Sequence, residues 1–228
     1  MQTLVMIPGL GSDAAIWRRT IEALDGVVDC VVGDTLRDDT LQGMAQRILD
    51  QSPETFALAG VSMGGMIALQ IMRIAPQRVT RLALVDTNAR PDSVMRKAVR
   101  YLSNFVAAIA SDFGKLSERS VNSLIHPSAS EDVRAEMISM GARVGAKTYI
   151  RQNRAVAARK DMRHVLGNIA VPTVVIVGSE DTLTPVNLSQ EIHGLTPRSK
   201  LRIIPDCGHL PPIEKPAELA AILLDMMK

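Results

Sequence analysis

Six short apolar runs punctuate the chain: TLVMI (3–7), VVDCVV (27–32), FALAGV (56–61), RLALVD (81–86), TVVIVG (173–178) and LRIIP (201–205). Most are continuous rather than alternating, the pattern of strands buried on both faces of a parallel sheet. Helical patterns lie between them, over 13–24, 41–50, 63–74, 186–195 and 216–227. Strand alternating with helix predicts an α/β fold, a doubly wound sheet of about six mostly parallel strands. With 228 residues and 46% hydrophobic content, one such domain can bury a sizeable core.

The alternation breaks between residues 88 and 165. Met95, Val99, Leu102, Val106 and Ile109 mark one amphipathic helix there, and Val133, Met137, Met140 and Val144 mark another. DFG (112–114) and HPSAS (126–130) read as breaks between them. The expected organisation is a core of residues 1–87 and 166–228 with a helical insertion, 88–165, after the fourth strand. Methionines at helical spacing in the insertion, Met95, Met137, Met140 and Met162, are expected to fill its own core.

Charge divides along the same line. Residues 90–165 carry 14 Lys or Arg against 7 Asp or Glu, and the remainder carries 12 against 17. The basic segment has no Lys/Arg run and no interleaved aromatics, which argues against nucleic acid as a partner. An anionic small molecule or an acidic partner fits it better. No stretch approaches the ~18 apolar residues of a membrane span, so no membrane partner is expected. MQTLVMIPGL lacks a basic n-region and a small-residue cleavage site and reads as a strand, so a soluble, cytoplasmic protein is expected. Cys30 and Cys207 form neither a disulfide framework nor a zinc site, and no metal is expected.

The third apolar run climbs into Gly60-Val61-Ser62-Met63-Gly64 and leaves as a helical pattern. A strand entering a helix through G-x-S-x-G forces the serine into a sharp turn, and the glycines remove Cβ atoms that would strike neighbouring backbone. Such a turn lifts Ser62 Oγ off the sheet and aims the Met63 N–H at whatever binds above it. A serine becomes nucleophilic when a histidine takes its proton and a carboxylate fixes that histidine. His209 sits in PDCGHLPPIEKP, directly after the last strand, whereas His126, His164 and His193 lie on or beside helical segments. Asp181 in VGSEDTLTP follows the fifth strand at its C-terminal end, where open α/β sheets place their ligand crevice. Glu180 is adjacent, and Asp86, ending RLALVD, is the alternative acid. Cys207 has no second histidine to activate it and reads as a buried small residue.

The order Ser62, Asp181, His209 and the stretches GVSMGGMIALQ, VGSEDTLTP and IPDCGHLPPIEKP resemble the α/β-hydrolase fold superfamily. Within it the chain is most similar to a small cofactor-free group of 3-oxoadipate enol-lactonases, bacterial esterases and carbon-carbon bond hydrolases. The resemblance spans nearly the whole chain, with 88–165 matching the family's helical cap. It implies a serine hydrolase of a small carboxylic ester or lactone, using a Ser62-His209-Asp181 triad and an acyl-enzyme. It also implies an oxyanion hole of the Met63 and Leu10 N–H groups, the latter from IPGLGSDAAIW, where Pro8 stands in place of a common histidine. The chain departs from the family pattern in starting directly at its first parallel strand and in carrying VGDTLRDDTL where a D-x-R-G-x-G-x-S loop is usual. Carbon-carbon bond hydrolysis, an acyl-carrier esterase or thioesterase docking through the basic insertion, and a non-catalytic ligand-binding relative are the alternatives. Arg90, Arg154 and Arg159 are candidates for binding a substrate carboxylate.

Overall fold

The computed structural model describes residues 2–228. Six strands, β1 (Thr3–Ile7), β2 (Asp29–Val32), β3 (Phe56–Val61), β4 (Val79–Val85), β5 (Thr173–Gly178) and β6 (Ser199–Ile204), form one sheet. Their order is β2-β1-β3-β4-β5-β6, and every pairing is parallel. All six lie on the six apolar runs, with ends shifted by up to two residues. β3 and β5 are buried along their whole length, whereas the edge strand β6 alternates with solvent.

The continuous apolar strands divide residue by residue between two helical layers, because successive side chains point to opposite faces. Val5, Ile7, Leu58 and Val175 pack against α2 (Leu41–Gln51), α3 (Met63–Ile74) and α8 (Val186–Leu195). Leu4, Met6, Ala59 and Ile176 pack against α1 (Arg18–Ala23) and α10 (Pro216–Met227), with the short α9 (Pro211–Glu214) beside them. The order reverses between β1 and β3, which opens a crevice at their carboxyl ends.

Between β4 and β5 the chain runs through α4 (Val94–Ile109), α5 (Phe113–Val121), α6 (Glu131–Ala157) and α7 (Arg163–Leu166). Capping side chains start three of these helices: Ser93 accepts from Arg96 N at 3.2 Å, Asp112 from Lys115 N at 3.2 Å and Ser130 from Val133 N at 3.4 Å. Asp112 of DFG therefore opens a helix, α5, where a break is expected from the sequence. α6 bends at Gly145, whose φ of 71° is open to glycine and costly for other residues. Met137 and Met140 are buried as expected, but Met95 is 74% exposed, because α4 turns its apolar stripe outward. No helix among the described residues is long and apolar enough to cross a membrane.

The seam between β3, β1 and α3 is held by contact too close for a side chain. A Cβ on Gly64 would overlap the Ile7 carbonyl, which is backbone and has no rotamer to yield. Gly64→Ala is expected to cost about 3 kcal/mol in urea denaturation. Gly167→Ala, where a Cβ meets nothing within 4 Å, is expected to stay within about 1 kcal/mol of the parent.

Candidate active site

Ser62 joins β3 to α3 with φ 55° and ψ −116°, a region that costs a non-glycine residue about 1–3 kcal/mol. Its surroundings over-determine that conformation. Ser62 N donates to Val85 O at 2.9 Å, and Thr87 Oγ1 donates to Ser62 O at 2.7 Å. Gly65 N and Met66 N also donate to that carbonyl. The turn presents Ser62 Oγ at the crevice, 2.8 Å from His209 Nε2.

His209 follows β6 in a loop tied down from several sides. His209 N donates to Leu124 O at 2.8 Å, linking the loop to the segment after α5. Glu214 accepts from Gly208 N, Leu210 N and His126 N, at 3.0, 2.9 and 2.7 Å. His209 Nδ1 bonds Asp181 Oδ2 at 2.8 Å, and both residues are buried. The Asp181 carboxylate also accepts from Leu183 N at 2.8 Å, Thr184 N at 3.0 Å and Thr184 Oγ1 at 2.5 Å. Burial pushes this carboxyl up, but His209 and Thr184 outweigh burial and hold it well below the usual carboxylate range.

Asp86 stands behind this pair. Its Oδ1 accepts from Gly178 N at 2.9 Å, while the imidazole is bonded to Asp181. Burial, and then the charge of Asp181, push the Asp86 carboxyl well above the usual range, so of the two acids Asp181 ionises first. Asp86, Asp181 and His209 each bring one potential metal-ligand atom within 4.8 Å of the others. Nδ1 and Oδ2 are already committed to each other, so a metal there would break the bond that orients the ring. Burial pushes the Cys207 thiol far above its ordinary value, where it is inert.

Above Ser62 lies a cavity of about 480 Å³. Its floor includes Gly9, Leu10, Met63, His209 and Leu210, and its walls come from α4, α5 and α6. Met63 opens α3, so its N–H has no partner within the helix. The loop carrying Leu10 is anchored from α6, since Gln152 Oε1 accepts from Gly11 N at 2.9 Å and Gln152 Nε2 donates to Thr35 O at 3.1 Å.

Arg90 and Arg159 do not line this cavity. The Arg90 guanidinium is bound on the outside by both oxygens of Glu191, at 2.8 Å each. That of Arg159 is buried and taken up by Asp92 at 2.8 Å and by Arg90 O and Val156 O. Arg154 is exposed. The residues missed from sequence are Thr184, Gln152 and Glu214. Of these, Glu214 in PPIEKP carried a legible signal, a carboxylate five residues beyond His209, near enough in sequence to accept from the N–H groups of the loop before it.

Residues 2–216 match the model of the alpha/beta hydrolase fold family. A pimeloyl-[acyl-carrier protein] methyl ester esterase of Photobacterium profundum is 28% identical, over 99% of this chain and 94% of its own length. Its counterpart in Edwardsiella ictaluri is also 28% identical, over 97% and 92%. Among solved structures, a thermophilic esterase from Thermogutta terrifontis superposes with a TM-score of 0.89 at 24% identity, covering 100% of this chain and 89% of the other. The enol-lactonase of Burkholderia xenovorans superposes with 0.85 at 19%, covering 99% and 91%. The chain belongs to the α/β-hydrolase fold family.

Proposed function

We propose that the protein is a cofactor-independent serine hydrolase of carboxylic esters, lactones included, working through Ser62, His209 and Asp181. The observation that carries this reading is the unbroken line of hydrogen bonds from Ser62 Oγ through both nitrogens of His209 to Asp181, at 2.8 Å each, on the floor of a cavity. Ser62 Oγ attacks the ester carbonyl as His209 Nε2 takes its proton. The charge left on the carbonyl oxygen is met by the Met63 and Leu10 N–H groups. Collapse of the tetrahedral intermediate expels the alcohol, which receives the proton from His209, and leaves Ser62 acylated. His209 then takes a proton from water, whose oxygen attacks the acyl carbon, and Ser62 regains its proton as the acid leaves. Asp181, held ionised, stabilises the imidazolium in both halves.

The cavity favours an apolar acyl group. Met66 of α3 lines it together with Phe113, Leu116 and Met137, and the cation that reaches them, Arg100, is bound to Asp92 at 2.5 Å. Residues 88–165 serve as a cap that closes the acyl site from above. A second reading, an ester carried on an acyl-carrier protein, is favoured by the names of the 28%-identical relatives, pimeloyl-[acyl-carrier protein] methyl ester esterases, and by the basic excess of 90–165.

Wild-type protein is expected to hydrolyse p-nitrophenyl butyrate and to take a fluorophosphonate label on the peptide containing Ser62. Ser62→Ala and Asp181→Asn should each lower kcat by about 10⁴-fold. An unlabelled Ser62, or an active Ser62→Ala variant, overturns the reading.

Asp86→Asn separates the two acids. The folded state keeps a proton on Asp86 that the unfolded state loses near pH 4, so wild-type stability falls as pH rises above that value. Asparagine keeps the oxygen that accepts from Gly178 N and removes the titration. The variant is expected to retain activity and to exceed the wild-type Tm by a margin that grows as pH rises above about 4 and levels off once the folded-state carboxyl ionises too, by about 2–4 °C for each kcal/mol gained. A margin independent of pH would show that Asp86 is not held neutral.

A further inference from the structure

α4 is an amphipathic helix turned inside out. Its polar side packs inward: Arg100 binds Asp92 at 2.5 Å and Asn153 Oδ1 at 2.7 Å, while Asn153 Nδ2 donates to Asn104 Oδ1 at 2.8 Å and to Arg100 O at 3.2 Å. Asp92 and Arg159 complete this buried network, and rolling the helix over would break all of it. The apolar side therefore faces out by construction. Val94, Met95, Tyr101, Phe105 and Ile109 are 59–87% exposed along one face. Soluble monomers rarely expose a continuous apolar stripe of this kind without a use for it.

Two further observations indicate what covers the face. Outside that network α4 carries two cations, Arg96 and Lys97, and no carboxylate, and α5 adds the exposed Lys115 and Arg119 against Glu118 and its capping Asp112. The stripe also continues into the catalytic cavity. Val99, Leu102 and Val106 line that cavity and are themselves 37–62% exposed, as is Leu183 opposite them at 38%.

We infer that the outward face of α4 is a docking surface for an anionic lipid layer, from which an amphiphilic ester slides along Val99, Leu102 and Val106 toward Ser62. An apolar stripe edged with cations is what lies flat at such an interface, its side chains among the acyl chains and its charges at the headgroups. A second copy of the chain fits less well. One helix face is small against the ~800 Å² per partner of a stable dimer, and α4 offers its twin no carboxylate. An acidic protein would match the cations but would find almost no hydrogen-bonding groups on the stripe. Docking stands apart from the serine-hydrolase reading, whereas delivery of the ester to Ser62 rests on it.

The test is flotation of the full chain with vesicles of phosphatidylcholine alone or with about one-third phosphatidylglycerol. It is paired with sedimentation equilibrium and with p-nitrophenyl butyrate turnover in vesicle-free buffer, which reports on the hydrolase reading alone. Wild type is expected to be monomeric and to float with the anionic vesicles, with binding that weakens as salt rises. Met95→Gln/Phe105→Gln/Ile109→Gln is expected to lower the partition coefficient at least about tenfold and to leave vesicle-free turnover unchanged. Absence of wild-type binding, equal binding to both vesicles, or equal binding by the triple variant overturns the inference. A wild-type dimer that the triple variant dissociates would assign the face to a second copy. Binding to a purified acyl-carrier protein but not to vesicles would assign it to an acidic protein.

Discussion

Ser62 can hold its left-handed backbone because the sheet leaves it nowhere else to go, and the site is assembled around that one turn. Val85 O takes its N–H, Thr87 Oγ1 grips its carbonyl, and Gly64 lets α3 start against the Ile7 carbonyl. The strain of about 1–3 kcal/mol is offset by packing that β1, β3, β4 and α3 contribute together. A strained residue held by so many elements is pre-set, and Ser62 Oγ stands 2.8 Å from His209 Nε2. The position of Ser62 in the sheet order matters equally: β3 borders the point where the strand order reverses, and the loop after β1 borders the same crevice.

The partners of Ser62 sit on loops, and each loop is made rigid by hydrogen bonds from outside itself. Glu214 gathers three backbone N–H groups from the His209 loop and from His126 beside it. Asp181 folds the turn after β5 onto its own carboxylate through Leu183 and Thr184, so the acid that faces His209 also builds the loop that carries it. Gln152 reaches down from α6 to the loop of Leu10. The helices between β4 and β5 thus wall the cavity and brace two of the loops beneath it.

Much of this was legible in the chain, and what was not has a common cause. Strands and core helices show plainly because burial on both faces leaves continuous apolar runs, and Ser62, Asp181 and His209 stand at strand ends where the turn chemistry is local. α5 was hidden because its start, DFG, looks like a break when Asp112 is read without its capping role. The direction in which α4 faces could not be read from its periodicity. An apolar stripe usually marks the buried side. Here Asn153, which is 53 and 49 residues away in sequence, bonds Arg100 and Asn104, Asp92 takes up Arg100 and Arg159 together, and the rule is reversed. The same remoteness misleads at Arg90 and Arg159, whose neutralising partners, Glu191 and Asp92, lie 101 and 67 residues away.

The two buried carboxylates behind His209 show how environment sets roles that composition leaves open. Asp86 and Asp181 close successive strand ends and are chemically identical, yet they cannot both be ionised at such short range without strong repulsion. Asp181 receives three donors from the Leu183–Thr184 turn in addition to the imidazole, whereas Asp86 receives one, from Gly178 N. Burial pushes both carboxyls up, and the donors around Asp181 outweigh it there, so Asp181 is the acid that gives up its proton more readily and Asp86 the one that keeps it longer. Asp86, bonded to Gly178 N, leaves His209 Nδ1 to Asp181, so a single histidine ring has one carboxylate partner and one orientation.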